Sequence, residues 1–259
     1  YWAASARLGT DAAFDIGQMK VGRRLAIKVL NAAKFVLSFE TTSDAQDVTE
    51  PIDRAMLSAL SEVVAQAGKA FEAYDHTKAL ELTETFFWNF TDDYLELVKE
   101  RAYGQDTSPA AQASAVLALR VALHVQLRLL APFIPFATEE AWSWWQDGSI
   151  HRSSWPQNSE LDAFTNGQSS SMLRTASEAL MGIRKAKSDQ QLSMKAEIAS
   201  LAISAKEETL DELKQIEADL RSVGKIETIA FQPGEEVSIS NVSFLSLIHI
   251  SEPTRLRRI

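Results

Sequence analysis

The residues with the clearest chemical potential lie on one face of a helix predicted over residues 17–38. At 100° per residue, Phe35 falls beside Lys28 at the edge of a polar arc of about 140°. Cations hold phosphates, an amide reads base edges and an aromatic ring stacks on an unpaired base, so this face has the chemistry for binding a single-stranded RNA loop. The arc consists of Lys20, Arg23, Arg24, Lys28, Asn31 and Lys34.

The same pattern also fits an ordinary solvated helix face, on which Lys and Arg stems cover apolar neighbours. An adjacent apolar arc would pack against a helix bundle. Since runs of charge are usually plain surface, spacing alone favours this second interpretation. The apolar arc consists of Val21, Leu25, Val29, Ala32 and Val36.

The distribution of charge bears on this choice. The 259 residues carry a net charge of −9, and such an acidic balance argues weakly against a general nucleic-acid binder. Residues 1–38, however, hold six basic and two acidic groups, whereas residues 39–103 hold five basic and fourteen acidic groups. The first helix is therefore a basic element in an acidic protein.

The composition excludes several classes of protein. With 46% hydrophobic and 24% charged residues, the sequence is typical of a globular protein and not of a disordered, collagenous or coiled-coil chain. Zero Cys excludes disulfides, thiolate metal sites and a Cys nucleophile. No window approaches eighteen uninterrupted apolar residues, so we predict no membrane span.

Catalytic patterns are not found. His76, His124 and His151 lack the spacing of a zinc site, and there is no glycine-rich phosphate loop or G-x-S-x-G turn. The adjacent carboxylates Asp92-Asp93 and Glu139-Glu140 would point about 100° apart on a helix, so we expect capping and surface solvation rather than acid–base chemistry. We predict no catalytic residue and no metal ligand in this chain.

Two aromatic clusters could form a stacking platform, but their helical spacing and the absence of adjacent Arg favour core packing. The clusters are Phe86, Phe87, Trp88, Phe90 and Tyr94, and Trp142, Trp144 and Trp145.

The periodicity predicts a mainly α protein, with a helix bundle followed by a small β-α-β-β module. A polar, acidic linker separates the first helix from a second that begins at Pro51, and residues 146–171 are rich in turns. Further helices are predicted over 74–103, 110–130, about 138–142 and 171–187; strands are predicted over 195–204, 225–231 and 236–242, with a helix over 206–223.

Neither end of the sequence is typical of the natural terminus of a protein, so we expect a piece of a longer chain. The aromatic start without an initiator Met is typical of a chain cut from a longer one. The run 245–259 looks like a translated sequencing adapter, so we expect it to be an artefact and give His249 and Arg255 no functional weight.

Several ordered segments together resemble one family, the class I aminoacyl-tRNA synthetases of the valine, isoleucine and leucine group. Residues 22–36 are similar to the first anticodon-domain helix of that family, and residues 86–99 to its "D-x-Y-L-E-x-x-K" helix. Residues 130–142 match the "H-P-F-x-P-x-x-T-E-E-x-W" motif, and residues 149–156 match the segment after it. Residues 1–11 resemble the segment that shortly follows the KMSKS loop of these enzymes. Judged over the sequence as a whole and not by a single motif, the resemblance is strongest to the valine-specific branch of bacterial, actinobacterial type.

The resemblance implies an anticodon-binding bundle over 17–187 and an α/β module over 188–244, preceded by a connection from the stem-contact region over 1–16. It makes RNA binding the preferred interpretation of the basic face, with Arg23, Arg24, Lys28, Asn31 and Phe35 as candidate anticodon stem-loop contacts. The implied partner is tRNA of the valine isoacceptors. The resemblance also implies a cytoplasmic, monomeric protein without a membrane segment. ATP and Mg²⁺ would serve valine–tRNA ligation in the full-length enzyme, and the fragment itself would be inactive and without a cofactor.

Two departures from the family pattern matter. Ala131 stands where the family usually has His, which argues that this position is structural here. The catalytic and editing domains and the coiled-coil C-terminal arm of the family have no counterpart in the sequence. An isoleucine- or leucine-specific sister and a free-standing helical tRNA-binding or scaffold protein stay open as alternatives.

Overall fold

The computed structural model describes residues 1–7, 9–40, 47–105 and 107–245 of the chain. Helices up to residue 189 form a bundle, and a three-stranded sheet with two further helices follows. This confirms the predicted fold class, a mainly α protein with a β-α-β-β module. The tail assigned to an adapter lies outside the described residues except for Leu245, and so do His249 and Arg255.

Helix α1 (Ile16–Leu37) forms as predicted. The carboxylate of Asp15 accepts a hydrogen bond of 2.6 Å from the backbone N–H of Gly17, which caps the first turn. Gly22 lies against the ring of Tyr1, where an added Cβ would come within 2.5 Å of the Tyr1 side chain. The helix buries one stripe against the bundle, namely Leu25, Val29, Ala32, Ala33 and Val36.

The other bundle helices begin where local sequence signals place them. Proline occupies the first turn of α2, α5 and α6, where its missing N–H leaves no unpaired partner. The hydroxyl of Ser108 accepts from the N–H of Ala111 at 3.1 Å and caps α5, as predicted. The helices are α2 (Pro51–Glu72), α3 (His76–Asn89), α4 (Leu95–Ala102), α5 (Pro109–Leu130), α6 (Pro135–Ser143), α7 (Ser159–Thr165) and α8 (Ser171–Asp189).

The single helix predicted over 74–103 is wrong in one respect, because a π-helix (Phe90–Tyr94) separates α3 from α4. The wider π turn changes the register of the residues that follow it. As a result, Phe87, Phe90 and Tyr94 all reach the core, while the two carboxylates between them turn toward neighbouring helices. Periodicity cannot reveal such a turn, since the flanking apolar residues fit an α-helix equally well.

Helix α5 is long and apolar enough, by length and composition alone, to cross a membrane. In the fold, 72% of its most apolar window is buried inside the protein. It packs against α1, α2, α3, α4 and α6. Its hydrophobicity is therefore explained by its place at the centre of the bundle.

The segment 146–171, predicted as turns, also contains a 3₁₀ turn (Ile150–Arg152) and α7. Helix α7 is held by tertiary contacts, because Leu161 is fully buried and Glu160 pairs with Arg128 of α5. It ends at Asn166, which has φ of 45°, in the turn that Asn166-Gly167 indicates.

The module consists of β1 (Ile198–Ala205), α9 (Glu207–Gln215), α10 (Glu217–Gly224), β2 (Ile226–Pro233) and β3 (Ser238–Phe244). The strand order is β2-β1-β3, with β2 parallel and β3 antiparallel to the central β1. The helix predicted over 206–223 is instead two helices, which break at the buried Ile216. The break turns α10 toward α4 and α8, its partners in the bundle.

A buried ion network joins the module to the bundle. Arg101 of α4 donates to both carboxylate oxygens of Asp53 on α2, at 2.8 and 2.9 Å, and to both of Asp219 on α10, at 3.0 and 3.1 Å. Tyr94 and Ser114 each donate to Asp53 at 2.7 Å. Burial and the neighbouring carboxylate raise the pKa of Tyr94, so the phenol keeps its proton and remains a donor.

Replacing Arg101 with Met should destabilise the protein by about 3–5 kcal/mol, because the carboxylates of Asp53 and Asp219 would stay buried without their cation. Urea unfolding followed by circular dichroism measures the change. Arg174→Met is the matched control, since that side chain is exposed and should change stability by less than about 0.5 kcal/mol. Equal effects of the two substitutions would contradict a structural role for the network.

Candidate nucleic-acid interface

The predicted basic face of α1 is present, and its members differ in how available they are. Arg23, Arg24 and Asn31 are exposed, whereas Lys28 and Phe35 are half-buried. The predicted apolar arc lies beside the basic face and is buried, apart from the half-buried Val21. The helix therefore presents its cations to solvent along most of its length.

Lys28 is held by the π-helix. Its ammonium lies 2.7 Å from a carboxylate oxygen of Asp92 and 5.9 Å from the ring centroid of Trp88. The Lys28 side chain is 35% exposed and that of Asp92 is 53% exposed, so the pair lies at the surface and is accessible to a ligand. This cation already has a partner, and an incoming phosphate would have to share or displace it.

The expectation that Asp92 and Asp93 cap a helix is wrong, whereas the expected surface solvation holds for Asp92, whose side chain is 53% exposed. Asp92 pairs with Lys28 of α1, and Asp93 pairs with Arg184 of α8 at 2.7 Å. The guanidinium of Arg184 also donates to the backbone carbonyl of Asp92. The two adjacent carboxylates therefore connect the basic face to the helix that packs on the α/β module.

Phe35 belongs to an aromatic cluster at the C-terminal end of α1. Its ring centroid lies 5.0 Å from that of Phe39 and 6.0 Å from that of Tyr103, both edge-on, and the Lys99 ammonium lies 5.9 Å from it. Tyr103 is 51% exposed and offers the more accessible ring. No sequence pattern marks Tyr103 as a functional residue, since it caps the C-terminus of α4 just before Gly104 like any helix-terminal residue.

The Trp residues near α6 divide between core and surface. Trp142 is buried and Trp145 half-buried, as expected of core residues, but Trp144 is 37% exposed. The Lys34 ammonium of α1 lies 5.6 Å from the Trp144 ring centroid, a cation–π distance. Assigning Trp144 to the core was therefore wrong, because it borders the basic face.

The electrostatics of this face favour anion binding. Within the described part of the chain, Lys20, Arg23 and Arg24 form no ion pair with a carboxylate. Three cations that lie within five residues of α1, without a carboxylate partner among the described residues, attract a phosphate backbone. Among the described residues there is also no group of three or more His, Asp or Glu that could hold a metal ion. The surface is thus suited to binding a polyanion.

Comparison with known proteins identifies the bundle. The family profile of the anticodon-binding domain of tRNA ligases matches residues 53–203. The chain belongs to this family. The match starts within α2 and ends within β1, so the candidate contacts on α1 lie before the matched range.

Curated relatives extend the likeness to the first helix. The chain is 50% identical over 242 residues to the valine–tRNA ligase of Thermobifida fusca, covering 92% of this chain and 27% of that protein. It is 49% identical over 247 residues to that of Leifsonia xyli, covering 93% and 28%, and 49% identical over 233 residues to that of Cutibacterium acnes, covering 90% and 26%. The chain therefore spans little more than a quarter of the length of these relatives. The predicted resemblance to valine-specific enzymes of actinobacterial type is confirmed.

Replacing Asp92 with Asn should strengthen tRNA binding, because it removes one negative charge from the interface and frees Lys28 for phosphate. We expect the negative slope of log K against log salt to steepen by about one. The loss of an exposed ion pair should cost at most about 1 kcal/mol of stability. Fluorescence anisotropy of labelled tRNA across a salt series measures the binding.

Asp93→Asn is the matched control, because it makes the same change of charge at the neighbouring residue but releases Arg184 of α8 instead of Lys28. A smaller effect is expected from it. If both substitutions changed affinity and salt slope equally, long-range charge alone would explain the result, and the Lys28–Asp92 contact would not lie in the interface.

Proposed function

We propose that this chain is the anticodon stem-loop-binding part of a valine–tRNA ligase, in which α1 supplies the principal contacts to RNA. The observation that carries the proposal is the row of solvent-exposed cations on α1, a helix that packs on a bundle of the anticodon-binding family. Arg23 and Arg24 would hold phosphates, Asn31 would read a base edge, and Lys28 would bind phosphate in exchange with Asp92.

The aromatic cluster around Phe35 supplies the stacking surface of the proposed interface. Phe35 itself is half-buried between Phe39 and Tyr103. The base would therefore stack on the exposed ring of Tyr103, while Phe35 supports that ring from behind. Stacking of one base on an aromatic side chain contributes about 1–3 kcal/mol.

The whole protein would attach valine to its tRNA with ATP and Mg²⁺. The described residues do not fit a protein-held Mg²⁺, since no group of three or more His, Asp or Glu among them could hold a metal ion. We therefore derive no catalytic step from this chain. We propose that the connecting segment covers residues 1–16, the bundle residues 17–187 and the module residues 188–244. The cytoplasmic location, the monomeric state and the absence of a membrane segment stay predictions.

The double substitution Arg24→Glu/Lys28→Glu tests the interface. At low salt we expect tRNA affinity to fall by at least about tenfold and the salt slope to flatten by about two, since two phosphate contacts are lost. The probe is a transcript of valine tRNA, titrated with this chain between 50 and 300 mM KCl by fluorescence anisotropy.

Arg152→Glu/Arg174→Glu is the control, because it makes the same change of charge at exposed sites away from α1. An unchanged affinity and slope for the α1 variant, or equal losses for both variants, would contradict the assignment. Valine specificity is tested with transcripts of isoleucine and leucine tRNAs, which should bind more weakly than that of valine.

A further inference from the structure

A second feature, separate from the basic face, lies between α5, α6 and α7. It is a pocket of about 240 Å³, which we call the Arg120 pocket. Pockets for drug-sized ligands usually measure about 300–1,000 Å³, so this one suits a single ring system. Its principal lining residues are Arg120, His124, Trp145, Gln146, Glu160 and Phe164.

The guanidinium of Arg120 has few partners among the residues that the structure describes. Of its five N–H donors, one binds the backbone carbonyl of Phe39 at 2.6 Å. Within the same residues its buried Nε has no hydrogen-bond partner, and the side chain forms no ion pair with a carboxylate. Burial lowers the pKa of Arg120, although an arginine still keeps its proton at neutral pH. A half-buried cation with donors to spare favours a ligand that brings an acceptor oxygen.

The other charges of the pocket cancel. Glu160 is paired in bidentate fashion with Arg128, through Nη1 at 3.2 Å and Nη2. Arg128 also donates to Nδ1 of His124 at 3.2 Å, which leaves the His124 proton on Nε2. Burial and the Arg128 cation lower the pKa of His124, so the imidazole is neutral. The net charge of the pocket therefore comes from Arg120.

Three aromatic side chains line the pocket, those of His124, Trp145 and Phe164. The His124 ring stacks on Trp142 with ring centroids 5.0 Å apart and meets Trp145 edge-on at 5.9 Å. An aromatic lining, the guanidinium of Arg120 and the amide of Gln146 together match a flat heterocycle that carries a carbonyl oxygen and N–H groups.

The pocket adjoins the basic face. Arg120 binds the carbonyl of Phe39, just beyond the C-terminal end of α1. Trp144, next to Trp145 in the chain, lies under the Lys34 ammonium of α1. A base turned out of an RNA strand that follows α1 would therefore be close to this opening.

We propose that the Arg120 pocket receives one nucleobase that carries a carbonyl oxygen, which Arg120 binds while Trp145 and Phe164 stack on the ring. The source is an unpaired base of the bound tRNA or a free nucleoside monophosphate. The tRNA source rests on the proposed function. Uracil, cytosine and guanine carry the required oxygen and adenine does not, so the pocket discriminates against adenine.

The first arm of the test uses the valine tRNA transcript with Arg120→Gln, Phe164→Ala and the surface control Arg174→Gln. With the unaltered chain and the control, chemical probing of base edges should show one unpaired base protected. Both pocket variants should expose that base and weaken binding by about tenfold, and the salt slope should stay unchanged because phosphates are held elsewhere.

The second arm uses UMP, CMP, GMP and AMP with the free chain, followed by the indole N–H signals of its Trp residues in nuclear magnetic resonance spectra. UMP, CMP and GMP should shift the Trp145 signal and AMP should not, and Arg120→Gln should abolish the shift. Urea unfolding of each variant separates loss of the pocket from loss of the fold, and Phe164→Ala leaves the Arg120–Phe39 contact in place.

The outcomes separate the possibilities. A positive first arm assigns the pocket to a tRNA base, and a positive second arm alone assigns it to a free nucleotide. If neither arm responds to the pocket variants while they remain folded, the proposal is overturned. Failure of the proposed function would appear differently, as tRNA binding that does not depend on Arg24 and Lys28.

Discussion

The buried carboxylate of Asp53 is the constraint on which the rest of the structure depends. An ionised carboxylate removed from water is tolerated only when donors surround it, and Asp53 receives two N–H groups of Arg101 and the hydroxyls of Tyr94 and Ser114. These donors come from α4, the π-helix and α5. Together with α2, which carries Asp53, these elements are therefore tied to one buried charge. Since Arg101 also binds Asp219, the same charge fixes where the α/β module packs on the bundle.

The π-helix follows from this constraint. Tyr94 must reach Asp53 in the core, while Asp92 and Asp93 meet cations on α1 and α8. Successive residues of an α-helix differ by a fixed 100°, and a π turn alters that progression. One local irregularity thus allows three adjacent side chains to serve three different neighbours, and it links the core network to the surface that we propose binds RNA.

The sequence predicted those helices whose position is determined by nearby residues. Period 3.6 predicted α1 and its exposed Arg23 and Arg24, and Pro51 and Ser108 marked helix starts through their own backbone chemistry. Features that depend on distant partners could not be predicted. Lys28 and Asp92 are 64 residues apart in sequence, so their pairing depends on how α1 packs against α5 and α6 of the bundle. Helix α7 was missed because its stability comes from Arg128 and the core, and its own sequence reads as turns.

The contacts of α1 explain why its cations form a defined surface. The buried stripe of α1 holds the helix against the bundle, and the Lys28–Asp92 pair and the Lys34–Trp144 contact add one surface contact on each flank. Arg23 and Arg24 therefore project from a backbone that is already ordered. A ligand bound by them has only their exposed side chains to order, which lowers the entropic cost of binding. Because Arg184 donates a hydrogen bond to the backbone carbonyl of Asp92, the flank that positions Lys28 is continuous with α8, which in turn packs on α9 and β3 of the module.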